Sequence, residues 1–567
     1  MTYQIYLKNS IINLSLTISL LYPIISVSAP SIAGGELVGK HMNPGNEAFK
    51  EALQTYYVDK TGMIALINRT INTKMKLTCI SRPRRFGKSY AVQMLCAYYD
   101  CQCDSHGLFD KYAVSQSADY ETHINQYNVL TFDVTNFIST VKRTNGQLSD
   151  VPDMIAADLR SDIVRAYPQL ADIPRLEDCL LECVNLTGRK FVFIIDEWDA
   201  LIREAKHDHA TQEAYLNLLR GLFKNNDVTP YVVAAAYMTG ILPIKKDGSQ
   251  SAISDFREYS VLNPGSFAEY VGFTEAEVKT ICQQYDMDFD EAKKWYNGYS
   301  FDTVQSIYNP YSVMLAMEMK AYEPYWRQTS AADSLVTFIN MDFDGLQEDI
   351  MRLAAGESLI VNTSGFQNDV ETFNSKNDVL TLLIHLGYLA YDRLSKRVRI
   401  PNEEIRNEFI TILQNVRGNS KLAGLVRASE KLLSNTLSGN ADEVVKAIEK
   451  IRESQYAPNF YNNEQALRYV IKFAYIVCVD KYMQVEELPS GKGIADVVYI
   501  PYKETPAPAL VIELKWNKSS DAAISQIKDK NYPAVLENYG GEIVLVGINY
   551  DDASKSHSCT IEKINKI

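Results

Sequence analysis

In the first half of the chain, apolar positions fall into short unbroken runs separated by helical patterns. Phe191-Val192-Phe193-Ile194-Ile195 is continuous and rich in β-branched residues, as a strand covered on both faces requires. Val129 to Val134 and Tyr231 to Tyr237 have the same character, and Leu77 to Ser81 is a further β-prone run. Ala91, Met94, Leu95 and Tyr98 recur at helical spacing over Tyr90 to Tyr99, and Ala210 to Phe223 reads as a second helix. Strands alternating with helices predict an α/β fold: a parallel sheet with right-handed crossovers, whose ligands sit at the carboxyl ends of the strands.

From Thr274 the pattern turns helical. Thr274-Glu275-Ala276-Glu277 is a capping signal ahead of Val278, Ile281 and Cys282. The aromatic, turn-rich stretch Trp295 to Tyr311 reads as the small core of a lid, with base stacking as the alternative. Leu380 to Leu389 and Ala441 to Arg452 continue the helical theme, with Val444, Ile448 and Ile451 in one stripe. The apolar pattern lapses around Pro458, which places a linker near Ser454 to Asn459. Beyond it, strands are expected at Val497 to Ile500 and Ala509 to Trp516, a helix over Ser525 to Tyr532, and a last strand over Gly541 to Gly547. The expected division is a leader or non-native extension over 1–41, a nucleotide-binding domain over 42–270, a helical connecting region over 271–455 and a C-terminal α/β domain over 456–567. Residues Ile11 to Ala29 follow Lys8 and are apolar, but Asn13, Ser15, Thr17, Ser19 and Pro23 interrupt them. They make a poor transmembrane helix, and Met42 is the expected start of the folded part.

Composition narrows the class. The 567 residues are too many for one ordinary core and suggest about two to four domains. With 46% hydrophobic and 22% charged residues, the chain is neither disordered nor a multi-span membrane protein. Its net charge of -13 restricts any nucleic-acid site to a local basic groove or one screened by metal. The 9 cysteines are an odd number scattered along the chain, which favours reduced thiols and a cytoplasmic setting. Cys101, Cys103 and His106 form the tightest cluster, but further zinc ligands at suitable spacing are not evident nearby.

Two constellations carry chemistry. In the first, the run Leu77 to Ser81 leads through Arg82-Pro83-Arg84-Arg85-Phe86 into Gly87-Lys88-Ser89, which opens a helix. Strand, loop and helix in that order are what a P-loop needs: loop and helix N–H groups cradle phosphates, Lys88 reaches the β- and γ-phosphates, and Ser89 ligates Mg²⁺. Arg82 stands where the usual loop has glycine, and Pro83 removes one donor. The strand ending in Ile195 runs into Asp196-Glu197, where Asp196 would hold Mg²⁺ and Glu197 would polarise the attacking water. A solvated acidic strand end is the plain alternative. Thr239, closing the last strand, is placed to contact the γ-phosphate.

The second constellation is near the end of the chain. Asp496 precedes one strand, and Glu513 and Lys515 lie two apart on the next. Residues i and i+2 of a strand share a face, so the acid and the lysine project together. Asp followed by Glu-x-Lys is the core of a PD-(D/E)XK nuclease, in which carboxylates hold Mg²⁺ and the lysine orients the water.

Tyr57-Val58-Asp59-Lys60-Thr61, Ser81 to Ser89, Ile195 to Asp199, Trp295-Tyr296-Asn297-Gly298-Tyr299 and Tyr308-Asn309-Pro310-Tyr311-Ser312 together resemble the bacterial AAA-ATPase-like family, whose members usually end in a PD-(D/E)XK nuclease-like domain. The likeness runs from about Asn43 through most of the chain. It implies a P-loop, AAA-like sheet that binds ATP with Arg82, Arg84, Arg85, Phe86, Gly87, Lys88 and Ser89. It treats Arg82 as the family's own residue, and Trp198 replaces its usual tyrosine. It further implies Glu464 as a third metal-site acid, and Gln526, Lys530 and Tyr532 as the group touching substrate. The expected activity is an ATPase that switches or loads a Mg²⁺-dependent nuclease on nucleic acid, DNA above all, in defence or mobile-element biology. A homo-oligomer is compatible with it, and a membrane partner is not expected. The alternatives are a signalling ATPase whose nuclease-like domain binds without cleaving, and an interaction scaffold with a degenerate nucleotide site.

Overall fold

The computed structural model describes residues 40–244, 253–301, 304–326, 345–354, 356–366, 373, 375–415, 421–455, 467–468, 470–471, 474–475, 477–478, 482–485, 497–501, 507–529, 536 and 539–565. The first body is a five-stranded parallel sheet of β1 (Leu77–Ser81), β2 (Asn128–Asp133), β3 (Phe191–Asp196), β4 (Val233–Gly240) and β5 (Arg257–Tyr259), in the order β2-β3-β4-β1-β5. The continuous apolar run of β3 is explained by its two-sided burial. Val192 and Ile194 pack with Met94, Leu95 and Tyr98 of the helix Lys88–Tyr99. Phe191, Phe193 and Ile195 pack with the helices Val151–Ala166, Leu176–Thr187 and His209–Phe223 on the other face. Tyr231 belongs to a helical turn, Thr229–Val232, rather than to β4: Pro230 starts that turn, and the strand begins where it ends.

Lys40 and His41 already belong to this body. His41 is buried, its ring stacks on Phe137 and its backbone N–H donates to Asp162.

The middle of the chain is not purely helical. Strands β6 (Phe273–Thr274), β7 (Tyr299–Phe301) and β8 (Val304–Tyr308) form one small sheet, and β9 (Leu359–Ile360), β10 (Ala390–Asp392) and β11 (Arg397–Arg399) another. Runs of two to five residues are too short for hydrophobic periodicity to register, which is why the sequence hides them. Thr274 does cap the helix Glu275–Tyr285, with Glu277 closing the capping box. Asn309 caps Pro310–Met319 by accepting from the Tyr311 and Ser312 amides, with proline in the first turn. Trp295, Tyr296, Tyr299, Phe301 and Tyr308 are all buried as lid core, whereas Tyr311 at the end of the stretch is exposed.

The Asn297-Gly298-Tyr299 turn fastens the two small sheets together. Arg399 donates to the Gly298 carbonyl at 3.0 Å, and the Asn402 side chain donates to the Asn297 carbonyl at 2.6 Å. Gly298 has φ of +120°, and a Cβ there would lie 2.1 Å from the Pro401 carbonyl oxygen.

The C-terminal sheet is ordered β12-β13-β14-β15-β16, from β12 (Tyr482–Val485), β13 (Val497–Pro501), β14 (Ala509–Trp516), β15 (Glu542–Asp551) and β16 (Ser556–Asn565). Only β14 and β15 pair in parallel, and the helix Ser520–Asp529 connects them. That helix starts five residues before the expected Ser525. The strand expected over Gly541 to Gly547 continues to Asp551 and is not the last: β16 turns back along it. The helix Ala441–Gln455 packs on β16, where Glu449 accepts from the His557 backbone at 2.8 Å and Arg452 donates to Tyr550 Oη at 2.9 Å. The expected linker begins inside this helix, at Ser454 and Gln455; its remaining residues lie outside those described.

Replacing Gly298 by alanine combines a disfavoured φ with a backbone clash, so the change should destabilise the chain by roughly 3 kcal/mol or more. Thermal unfolding measures this, and an unchanged melting temperature would show that the Pro401 segment yields freely.

Candidate nucleotide site and nuclease-like site

The carboxyl ends of β1 and β3 bring the first constellation together. Gly87 has φ of +89° and nothing within 4 Å of a notional Cβ, so the loop turns tightly and its surface stays open. The helix Lys88–Tyr99 has no side-chain cap at its N-terminus, which leaves its first N–H groups for a ligand. Lys88 Nζ donates to the carbonyls of Arg82 (3.2 Å) and Pro83 (3.1 Å) and lies 3.5 Å from Glu197 Oε1. Ser89 Oγ donates to Asp196 Oδ2 at 2.7 Å. Burial is the main reason the Asp196 carboxyl is pushed up to about 6, with the Ser89 hydrogen bond opposing it and Glu197 adding to it. A buried carboxylate beside a hydroxyl is an oxygen donor set suited to a hard divalent cation. Thr239 is wholly buried, its hydroxyl beside Tyr237 and its carbonyl accepting from the Trp198 amide at 3.0 Å.

A cavity of about 830 Å³ lies over this loop. Arg84, Arg85, Phe86, Gly87, Lys88 and Ser89 form its floor, and Glu197 and Arg203 one side. Tyr56, Tyr57 and Val58 face it from the N-terminal segment, and Tyr311, Met314 and Leu315 from the lid. A cationic, N–H-rich end with apolar and aromatic walls opposite suits a nucleoside phosphate.

Of the three loop arginines expected at the nucleotide, Arg82 departs from that expectation, while Arg84 and Arg85 line the cavity. Arg82 is fully buried and does not line the cavity. It donates to the carbonyls of Ser81 (3.0 Å) and Tyr259 (2.8 Å), and its guanidinium lies 4.9 Å from the Phe301 ring centre. Its Nε and Nη2 find no acceptor among the described residues. Its side chain fixes the loop to β5 and the lid, because a side chain following β1 at this point is directed into the interior. Arg85 sits at φ of +68°, donates to the Tyr325 carbonyl at 2.7 Å and stacks 4.3 Å from the centre of Tyr311. Arg84 lines the cavity half-buried. Phe86 is buried against Tyr299, edge to face at 5.2 Å.

Sequence reasoning missed Arg203. Its Nη2 lies 2.7 Å from Glu197 Oε2 and its Nε 2.9 Å from Asp199 Oδ2. Asp199 is buried and accepts from the amides of Ile241 (3.2 Å) and Leu242 (2.9 Å). The signal was present, since Asp199 and Arg203 are four apart on a helical pattern. Asp59 and Lys60 of the first quoted motif brace the structure: Asp59 accepts from Thr61 and Ala113, and Lys60 pairs with Glu277 at 2.7 Å.

On β14, Glu513 and Lys515 do share a face and are both buried, with Lys515 Nζ 2.8 Å from Glu513 Oε1. Gln526, from the helix behind the strand, donates to the same carboxylate oxygen. Asp496, Glu464, Lys530 and Tyr532 lie outside the described residues. Among the described residues no three His, Cys, Asp or Glu side chains cluster as metal ligands, at Cys101, Cys103 and His106 included. His106 there pairs with Asp104 and Glu121. No described helix is long and apolar enough to cross a membrane.

Residues 46–249 match the family model described as a predicted AAA-ATPase, and residues 463–559 match that of the PD-(D/E)XK nuclease superfamily. The chain therefore joins an AAA-ATPase-like region to a PD-(D/E)XK nuclease-like region, in the order the resemblance implied. It is 22% identical over 524 residues to an uncharacterized protein in the vnfD 5′ region of Azotobacter chroococcum mcd 1, covering 89% of this chain and 95% of that protein. Among solved structures, the Aeropyrum pernix ORC2 protein in its ADPNP–ADP complexes aligns at 13% identity over 63% of this chain and 96% of its own, with a TM-score of 0.29. AMPPCP-bound DnaA from Aquifex aeolicus aligns at 8% identity over 68% of this chain and 91% of its own, with a TM-score of 0.21.

Because the Asp196 carboxyl is raised in the folded chain, folding takes up a proton there, and the associated stability is lost as pH rises from about 4 to about 6. Asp196→Asn removes the buried charge. Measured without nucleotide or Mg²⁺, it should melt above wild type at about pH 8, and the gap should close towards about pH 4. A gap independent of pH would show that Asp196 does not titrate in this range.

Proposed function

We propose that this protein binds and hydrolyses ATP at the Lys88 loop and uses that cycle to control a metal-dependent nuclease centred on Glu513 and Lys515, with DNA as substrate. The observation that carries the reading is the cavity of about 830 Å³ into which Lys88, Ser89 and Glu197 converge from the ends of β1 and β3, the two strands that flank β4. Lys88 is the phosphate cation, and its contacts with the Arg82 and Pro83 carbonyls are those a phosphate oxygen would replace. The helix N-terminus and Gly87 supply N–H donors, and Arg84 adds positive charge at the cavity wall. Glu197 takes the proton of the attacking water. Ser89 and Asp196 would hold Mg²⁺, which neutralises phosphate charge when bound. Tyr56, Tyr57, Tyr311 and Met314 would enclose the base and ribose. Thr239 lies too deep to touch phosphate without a shift of β4, so its proposed role is to hold the Asp196-Glu197-Trp198 turn through its carbonyl.

At the second site, Lys515 and Gln526 hold the Glu513 carboxylate in one orientation, as a metal-ligating acid requires. Asp496 and Glu464 would complete the set from outside the described residues. Lys515 orients the attacking water, and Lys530 and Tyr532 would contact substrate. An ATP-consuming cycle of this kind belongs in the cytoplasm, and assembly into homo-oligomers is compatible with it.

Plasmid, linear and single-stranded DNA incubated with Mg²⁺ or Mn²⁺, with and without ATP, tests both halves. Cleavage should be lost in Glu513→Ala, and phosphate release should fall at least about 100-fold in Lys88→Ala. ATP turnover with no cleavage of any substrate would replace the nuclease with a recognition domain. Failure to bind ATP would overturn the reading altogether.

A further inference from the structure

Resting on the ATPase reading above, we infer that Arg203 is the positioning residue for Glu197: it holds one carboxylate oxygen so that the other faces the reacting phosphate. The two oxygens of Glu197 have different partners. Oε1 faces Lys88 at 3.5 Å, and Oε2 is held by Arg203 Nη2 at 2.7 Å. A phosphate that draws Lys88 to itself frees Oε1 at the spot where Lys88 met it, while Oε2 stays bound. Glu197 itself sits at φ of +49° in a tight turn, and Arg203 reaches its side chain from the helix that follows the turn.

Arg203 is itself immobile. Its Nε is fixed by Asp199 at 2.9 Å. Asp199 is 1% exposed and bound to the amides of Ile241 and Leu242, just past the end of β4. The guanidinium fork thus spans the acid that works and the acid that anchors, a geometry a lysine cannot reproduce because its ammonium is a single point. Gly240 is part of the same arrangement: a Cβ there would lie 2.5 Å from Asp199 Oδ1 and 2.8 Å from the Trp198 ring. The cavity-lining position of Arg203 puts the fork beside the chemistry without putting it on the phosphate, since both of its bonded nitrogens already face carboxylates.

The test is steady-state ATP hydrolysis with Mg²⁺ by wild type, Arg203→Ala, Arg203→Lys, Glu197→Gln and the Glu197→Gln/Arg203→Ala double variant, alongside ADP affinity and melting temperature. Arg203→Ala should lower kcat about 10- to 100-fold with KM and ADP affinity within about 2-fold of wild type. Arg203→Lys should recover part of the loss, and in the Glu197→Gln background removing Arg203 should change the residual rate no further. Full additivity in the double variant, an equal loss of ADP affinity, or an unchanged kcat in Arg203→Ala overturns the inference while leaving the ATPase standing. No hydrolysis by wild type overturns the ATPase reading and the inference with it. Where Arg203→Ala melts too low to assay, Arg203→Lys carries the same comparison.

Discussion

A phosphate-binding loop must present its backbone amides in one fixed arrangement, and a glycine-rich loop achieves this through tight turns alone. Here the loop Arg82 to Phe86 is held from outside by the lid. Arg82 ties it to the Tyr259 carbonyl and the Phe301 ring, and Arg85 to the Tyr325 carbonyl and the Tyr311 ring. Phe86 is buried on Tyr299, and Pro83 packs so closely on Gly387 that a Cβ there would lie 2.8 Å away. The fold of the site therefore depends on the middle of the chain. Without the lid, Arg82 would keep the Ser81 and Tyr259 carbonyls of the sheet but lose the Phe301 ring that covers its guanidinium.

This docking accounts for several features that look unrelated. Tyr299 donates to the Gly387 carbonyl at 2.6 Å, joining the turn after Gly298 to the end of the helix Lys376–Leu386 just where Pro83 arrives. His385, on that helix, is buried beside Arg82, and burial together with the arginine charge pushes it down to about 3. It remains neutral, so a second cation never competes with Arg82. Glu404 lies under the Arg85 contact, accepting from the amides of Tyr325 and Trp326 at 2.9 and 2.8 Å. Burial pushes it up to about 8. The carbonyl that Arg85 grips is thus in a segment whose amides are themselves held by a buried acid.

The strands β1 to β4 of the ATPase-like sheet were legible because they are buried in apolar runs, and the helices Lys88–Tyr99 and His209–Phe223 because they are long enough to show their period; β5, three residues long with Arg257 exposed, was not. The acid pair after β3 and the Glu-x-Lys of β14 were legible for a related reason: a strand fixes which neighbours share a face, so spacing predicts contact. The small lid sheets were not legible. Neither was β16, an edge strand whose sequence is mostly polar although its partner β15 is apolar and buried. Arg82 was misjudged because sequence gives the order Arg82, Arg84, Arg85 but not which side of a tight turn each leaves from. That depends on φ at Arg85 and on the position of the lid, and both are tertiary facts. Arg203 was overlooked for the same reason, since its value lies in a partner six residues away across a left-handed turn.

The lid also determines what kind of two-site protein this is. Independent modules on a linker would have separate cores, and events at one site would reach the other only through the linker. Here one continuous core contains Ile80 and Phe86 beneath the loop, Tyr299, Trp326 and Tyr388 in the lid, and Tyr475, Tyr499, Ile512 and Leu514 around the nuclease-like sheet. The helix Glu403–Asn415 carries Glu404 in its first turn and packs on Lys421–Ser438. Thr436 of that helix bonds the Tyr475 hydroxyl at 2.7 Å, and Tyr475 packs against Tyr499 on β13, beside the strand that carries Glu513. Packed interiors move between discrete arrangements rather than deforming smoothly. A lid displaced by a ligand at Arg85 must therefore either carry the packed helices with it or break the contacts that join them. Both responses would change the support of the Glu513 strand, because side-chain packing rather than a tether alone joins the loop, the lid and the nuclease-like sheet.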